Sequence, residues 1–338
     1  MAECEVITPS PGVSAAGLLS QWLTKIHHLY SGYLSIKKRN TLPQSTPTIV
    51  ITGATSGIGQ IAAIALARQG AHLVLTARSQ AKADATLTLI EAAAPGTRVD
   101  VHYGDFADMA SVAALGREIV ARHPRIDVLI NNAGLHAFEP RVTADGMPEM
   151  VSVNYLAPWL LTSILRETLV RSAPSRIVTV ASEASRQAAG FDPLAALVDM
   201  HPFTARGSSK IYGQTKMLNI MFSLELARQL GGTGVAVNCL CPGFNVTGLG
   251  RELWFAAPLE RLLTWLGIGN PKRGAGIIVR LASDPAFAET TGGYYSVNDA
   301  RPLVPLAPGG DRQAQQTLWQ ATAERVAPFR LNPSSGLA

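Results

Sequence analysis

Residues 48–59 read Thr48-Ile49-Val50-Ile51-Thr52-Gly53-Ala54-Thr55-Ser56-Gly57-Ile58-Gly59, and this stretch decides the fold. The apolar opening reads as a buried strand, the segment behind it as a helix, and the glycines mark the junction. Without side chains the backbone can turn sharply at Gly53, approach a pyrophosphate at Gly57 and bring helix close to sheet at Gly59, with Thr55, Ser56 and Ile58 completing the loop. The helix that starts there turns backbone N–H groups toward an anion. A glycine loop alone could equally be a structural turn that needs only φ > 0. With a strand before it and a helix after it, it predicts a dinucleotide site.

Outward from this junction, short apolar runs alternate with helical periodicity. Strands are expected at Thr48–Thr52, His72–Ala77, Arg98–Tyr103, Ile126–Ile130, Arg176–Ala181, Val235–Leu240 and Gly293–Val297. The segments between the first six are long enough for helical crossovers, which predicts an α/β fold: a single doubly wound parallel sheet of Rossmann type with helices on both faces. This domain spans residues 47–302. Residues 1–46 form an N-terminal extension, and 303–338 a C-terminal tail with a short helix expected near Gln313–Arg325.

The 338 residues, 47% hydrophobic and 16% charged, supply ample core and exclude a disordered chain. The net charge of +5 is scattered, and the one basic run, Lys37, Lys38 and Arg39, is too short for a nucleic-acid face. Cys4, Cys239 and Cys241 are odd in number and imply no disulfide framework. The seven histidines show no pairing with Cys or Asp at ligand spacing, so no metal is expected. The extension holds neither a membrane span nor a secretory signal, which leaves a soluble intracellular protein as the expectation. It does hold an amphipathic pattern: Leu18, Leu19, Trp22, Leu23, Ile26, Tyr30, Tyr33 and Leu34. That helix either packs on the body of the protein, the reading we prefer, or lies on a membrane surface as a peripheral contact.

The second strand ends without the Asp or Glu that would accept from a ribose 2′-hydroxyl. Arg78 follows instead, and a guanidinium suits a 2′-phosphate, so the expected cofactor is NADP(H). The competing reading makes Arg78 a solvated residue at a helix start. Asp105 and Phe106, after the third strand, lie where an adenine ring would be met. After the fourth strand, Asn131-Asn132-Ala133-Gly134 is small enough for a cofactor to lie over the strand end.

Tyr212 and Lys216 stand four apart, so on a helix they share a face. A free phenol is a poor base at neutral pH, and a nearby ammonium favours its phenolate, which makes Tyr212 the candidate acid/base. Ser182, just past the fifth strand, can hydrogen-bond a substrate oxygen or simply cap a turn. Asn154 precedes Pro158 by four residues, and proline has no N–H for the Asn154 carbonyl. That carbonyl could hold a water linking Lys216 to solvent, or the kink could serve packing alone.

These residues together resemble the short-chain dehydrogenase/reductase family, and within it the retinol-dehydrogenase-like branch. The resemblance covers about Thr48 to Pro302. It rests on five signals in order: the loop from Thr52 to Gly59, Asn131-Asn132-Ala133-Gly134, Ser182, Tyr212 with Lys216, and Pro242-Gly243 with Val246 and Thr247. It implies that Tyr212 moves the proton, that Lys216 lowers its pKa and holds the nicotinamide ribose, that Ser182 orients the carbonyl, and that Asn154 completes a proton relay. The closer branch is suggested by Thr76-Ala77-Arg78, by Val153-Asn154-Tyr155-Leu156 and by the long insertion between Ser182 and Tyr212. The expected activity is hydride transfer between NADP(H) and a carbonyl or secondary alcohol of a hydrophobic small molecule, retinoid-, steroid- or polyketide-like. Two alternatives are a non-catalytic NADP(H)-sensing protein, against which the Ser, Tyr and Lys argue, and a sugar-nucleotide epimerase or dehydratase, which usually carries a different glycine spacing. The apolar stretch Leu253, Trp254, Phe255, Leu259, Leu262, Leu263, Trp265 and Leu266 reads as a flap over a lipophilic substrate, or as a membrane or homo-oligomer contact.

Overall fold

The apolar runs become the strands of one sheet: β1 (Thr48–Ile51), β2 (His72–Ala77), β3 (Val99–Tyr103), β4 (Val128–Asn131), β5 (Ser175–Val180), β6 (Val235–Cys241) and β7 (Gly293–Ser296). In the computed structural model, which describes residues 46–243 and 270–331, all seven pair in parallel in the order β3-β2-β1-β4-β5-β6-β7. Every expected strand is present, with small changes at the ends. β4, for example, starts later than Ile126 because that residue donates its N–H to the Ser172 hydroxyl, at 3.0 Å, instead of to a neighbouring strand.

The helices are α1 (Gly57–Arg68), α2 (Gln80–Ala93), α3 (Met109–Arg122), α4 (Ala157–Arg171), α5 (Ala205–Gln229), α6 (Pro271–Ser283) and α7 (Arg312–Leu331). Alternation along each strand divides the core into two layers. Val50, Val74, Leu129, Ile177 and Val237 face α3, α4, α5 and α7. Ile49, Ile51, Leu73, Leu75, Ile130, Val178 and Leu240 face α1, α2 and α6. Burial on both faces is why these strands read as continuous apolar runs. Among the described residues no helix is long and apolar enough to cross a membrane. The amphipathic N-terminal segment and the Leu253–Leu266 stretch lie outside the described residues.

Two local features follow from proline and from packing. Ahead of α4, the chain passes through one helical turn, Glu149–Val151, and a π-helical turn, Ser152–Leu156. This widening falls where Pro158 lacks the N–H that would pair with the Asn154 carbonyl. The segment after Pro302 differs more from expectation. The short helix foreseen at Gln313–Arg325 runs from Arg312 to Leu331 and continues through Pro328. Asp311 Oδ1 caps its start, accepting from Gln313 N at 2.8 Å and Ala314 N at 3.2 Å.

The added length comes from docking, which a polar-looking sequence conceals. Leu318, Thr322 and Val326 are buried. Trp319 stacks parallel to Phe222 of α5, with centroids 5.9 Å apart, and tilts against Trp159 of α4 at 4.9 Å. The Tyr155 hydroxyl meets the Thr322 hydroxyl at 2.7 Å. Over its described length, therefore, this segment is a wall of the core and not a polar tail. Leu318→Ala should cost about 2–5 kcal/mol through the cavity it leaves. We expect the thermal midpoint to fall by several degrees or more, and an unchanged midpoint would show that α7 is not docked.

Candidate active site

The strand order reverses between β1 and β4, because the chain leaves β1 toward β2 on one side and β4 toward β5 on the other. A crevice is left at their carboxyl ends. Two loops meet there and lock together. The Thr52 hydroxyl accepts from the N–H groups of Asn132 and Ala133, each at 3.0 Å, and the Asn132 side-chain amide donates to the carbonyls of Thr52 and Gly53 at 2.9 and 3.1 Å.

Glycine is required at two points of this lock. Gly53 has φ +66°, and a Cβ there would lie 2.8 Å from Ala133 Cα; at Gly59 a Cβ would lie 2.5 Å from the Gly53 carbonyl oxygen and overlap the Asn132 amide. Gly59 thus makes room for the two loops more than for helix-on-sheet contact.

A dinucleotide fits these residues. The loop runs past the β4 loop as bare backbone, since a Cβ at Gly53 or Gly59 would collide with it, and α1 starts at Gly57 with no acidic residue in its first turn, so nothing in that turn repels a pyrophosphate. Arg78, just past β2, is largely exposed, with its guanidinium 3.9 Å from the Asp105 carboxylate. Asp105 Oδ1 also accepts from Ala107 N at 3.0 Å. The Phe106 ring is buried in the core layer over α3, so Asp105 rather than this ring faces outward beside Arg78. Pro242 and Gly243 follow β6, and a Cβ at Gly243 would meet Val297 at 2.8 Å. Val246 and Thr247 lie outside the described residues.

Ser182 stands directly beyond β5 and its adjoining Ala181. It caps a 3-10 turn, Glu183–Ala188, by accepting from Ala184 N at 3.2 Å. The insertion that follows is mostly irregular, with one helical turn at Pro193–Ala196 capped by Asp192, and it delivers the chain to α5. That helix presses onto the Ser182 turn at Gly213, where a Cβ would lie 3.1 Å from the Ala184 carbonyl carbon. Close approach brings the Ser182 hydroxyl near enough to the Tyr212 phenol to act on it.

One helical turn further on, Lys216 is buried and its Nζ donates to the Val180 carbonyl at 3.0 Å, 5.7 Å from the Tyr212 ring centre. Asn154, fully buried, exchanges hydrogen bonds with the Leu135 backbone, accepting from its N–H at 2.6 Å and donating to its carbonyl at 2.8 Å, and also donates to the Thr215 hydroxyl at 2.9 Å. Gly134 ties these parts together. A Cβ there would lie 3.3 Å from Lys216 Nζ and 3.6 Å from Asn154 Oδ1.

The electrostatics differ from the expectation that the ammonium of Lys216 would favour a phenolate. Burial pushes the Tyr212 phenol well above its ordinary value, with the neighbouring Ser182 hydroxyl pulling the other way. Burial also brings the Lys216 ammonium down to about 8. In the free protein Tyr212 is therefore a neutral proton donor, and Lys216 titrates close to neutrality.

His136 carries no sequence motif and was not anticipated. Its ring stacks on Tyr212 with centroids 4.8 Å apart and planes at 19°, its Nε2 meets the Ser208 hydroxyl at 3.0 Å, and Phe138 stacks on it at 4.5 Å. The one available signal was its position two residues after Gly134.

The family model described as short chain dehydrogenase matches residues 47–193. Retinol dehydrogenase 14 of Homo sapiens is 35% identical over 296 residues, covering 82% of this chain and 86% of that protein. DnrU of Streptomyces sp. (strain C5), provisionally named a daunorubicin C-13 ketoreductase, is 38% identical over 280 residues, covering 82% and 92%. A Beutenbergia cavernae crystal structure with bound NADP at low occupancy superposes with a TM-score of 0.59 at 28% identity, covering 75% of this chain and 96% of that one.

The buried ammonium should be visible in stability. Folding lowers the Lys216 pKa from 10.5 to about 8, so the unfolded chain holds that proton more tightly. The penalty is complete below pH 8 and gone above 10.5. Wild type should therefore gain stability relative to Lys216→Met as pH rises through that window. Denaturant unfolding of both proteins at three pH values reads this directly; parallel curves would mean that the ammonium is solvated.

Proposed function

The chain belongs to the short-chain dehydrogenase/reductase family, in its retinol-dehydrogenase-like branch, and from that membership we propose that it moves a hydride between NADP(H) and a carbonyl or alcohol of a hydrophobic small molecule. The observation that carries this reading is the convergence of Ser182 and Tyr212, with the Lys216 ammonium buried one turn behind, beside the glycine loops at the carboxyl edge of the sheet.

In the reductive direction Ser182 and Tyr212 together hold the carbonyl oxygen. When bound, the dihydronicotinamide supplies the hydride to the carbonyl carbon. Tyr212, neutral in the free protein, donates its proton to the oxygen as charge develops there. Lys216 lends positive charge near the phenol and lies close enough to Gly134 to serve a ribose hydroxyl over the β4 loop. Asn154, held rigidly by the Leu135 backbone, fixes the wall behind Lys216, and its carbonyl at the π-turn is the acceptor for a relaying water. Oxidation runs the same steps in reverse, with Tyr212 accepting the proton.

A lipophilic substrate is supported by the insertion between Ser182 and Tyr212, where Leu194, Val198 and Met200 remain exposed. The names of the two relatives, for retinol and for the C-13 ketone of daunorubicin, lie in the same direction. Preference for NADPH rests on Arg78. Its pairing with Asp105 is exposed and contributes little, so a 2′-phosphate can take its place.

A panel of hydrophobic aldehydes and ketones, followed by NADPH absorbance, tests the reading. Tyr212→Phe should lower turnover about 100- to 10,000-fold, the usual contribution of a general acid, while NADPH affinity stays within a few-fold. A variant that keeps its rate would remove Tyr212 from the chemistry. For the cofactor, Arg78→Ala should weaken NADPH binding about tenfold, the ratio that corresponds to ~1.4 kcal/mol, and leave NADH nearly unchanged. Titration of both cofactors decides this, and a wild type that prefers NADH would overturn the assignment.

A further inference from the structure

Three imidazoles converge where β2, β3 and the end of α3 meet, with His72 at the amino end of β2, the edge of the sheet opposite the crevice. His72 opens β2, His102 lies within β3 and His123 closes α3; all three are buried. Asp100 of β3, only a third exposed, completes the group. His72 Nε2 lies 2.7 Å from Asp100 Oδ2, and donor atoms of His72, Asp100 and His123 all fall within 4.8 Å of one another. Each residue comes from a different turn of the chain, so the spacing along the sequence, which pointed to no metal, could not reveal the grouping.

The surroundings suit a ligand better than a plain hydrogen-bonded core. Burying imidazoles has a desolvation cost that an apolar side chain in these positions would avoid. The buried Nδ1 of His102 lies 3.1 Å from Glu118 Oε1 without the alignment of a hydrogen bond, while its Nε2 meets His123 Nε2 at 3.0 Å. His72 Nδ1 has the Thr48 hydroxyl at 3.4 Å. His72 and His123 thus each have a polar partner for one nitrogen and can present the other inward, the arrangement that orients metal-binding histidines.

We propose that His72, Asp100 and His123 form a site for one divalent transition cation, zinc in particular, with His102 and Glu118 orienting His123 from behind. Two imidazoles and one carboxylate are zinc donors, and a water would complete a tetrahedron. Tetrahedral zinc ligands stand roughly 3.3 Å apart, so the His72–Asp100 pair at 2.7 Å must open slightly and a pair at the 4.8 Å limit must close by about 1.5 Å, movements open to Asp100 at the solvent edge. Arg98, 3.6 Å from Asp100, has a mostly exposed side chain that can swing away. The ion would clamp β2, β3 and α3 together far from the chemistry.

The test uses the full-length protein, stripped with a chelator and titrated with zinc chloride, and with cobalt(II) as a visible probe of geometry. We expect one ion per chain, tetrahedral cobalt absorption and a thermal midpoint higher by several degrees at saturating zinc. Asp100→Asn keeps shape and size, should fold normally, and should weaken binding at least tenfold; His123→Gln should do the same. His201→Ala removes an exposed histidine paired with Asp199 and should change nothing. The proposal falls if wild type binds no stoichiometric ion, if Asp100→Asn binds zinc as tightly as wild type, or if His201→Ala abolishes binding. Should His123→Gln fail to fold, Asp100→Asn alone decides.

Discussion

The lock between the loops after β1 and β4 is the constraint on which the rest of the site depends. One hydroxyl, that of Thr52, accepts two backbone N–H groups, and one amide, that of Asn132, satisfies two carbonyls across the gap. These bonds replace the strand pairing that ends at this edge, so the crevice is rigid where backbone groups would otherwise be orphaned. Because the loops are drawn this close, Gly53 and Gly59 cannot carry side chains.

From that lock the geometry propagates inward. The β4 loop continues to Gly134 and Leu135, whose backbone holds Asn154 in the π-turn, and Asn154 in turn bonds Thr215 next to Lys216. The cation at the end of this chain of contacts is held by a single carbonyl donated by β5. Burying an ammonium so lightly compensated works against stability and in favour of reactivity, since its charge is weakly screened and its proton easily exchanged. Strain of this kind is characteristic of a site arranged for chemistry rather than for folding.

Packing elsewhere supports the site indirectly. α7 lies on α4 and α5 through Trp319 and on the π-turn through Thr322 and Tyr155, steadying the segments that carry Asn154 and Tyr212. Its residues look polar in sequence because only a narrow stripe, Gln315, Leu318, Thr322 and Val326, is buried, three or four residues apart. The stripe has meaning only once Trp159 and Phe222 are known to lie opposite.

The sequence by itself determined the strand set, the parallel architecture, the glycine junction and the pairing of Tyr212 with Lys216, because each is a local matter of periodicity, missing side chains or helical spacing. Pro158 likewise announced the irregular turn at Asn154, since a missing N–H acts on its own helix. Tertiary structure alone decided what depends on the meeting of distant segments: the stack of His136 on Tyr212, the upward push on the phenol, the seating of Phe106 in the core, the full length of α7, and the convergence of His72, Asp100 and His123. Burial and desolvation arise from neighbours contributed by other elements, and no spacing along one segment encodes them.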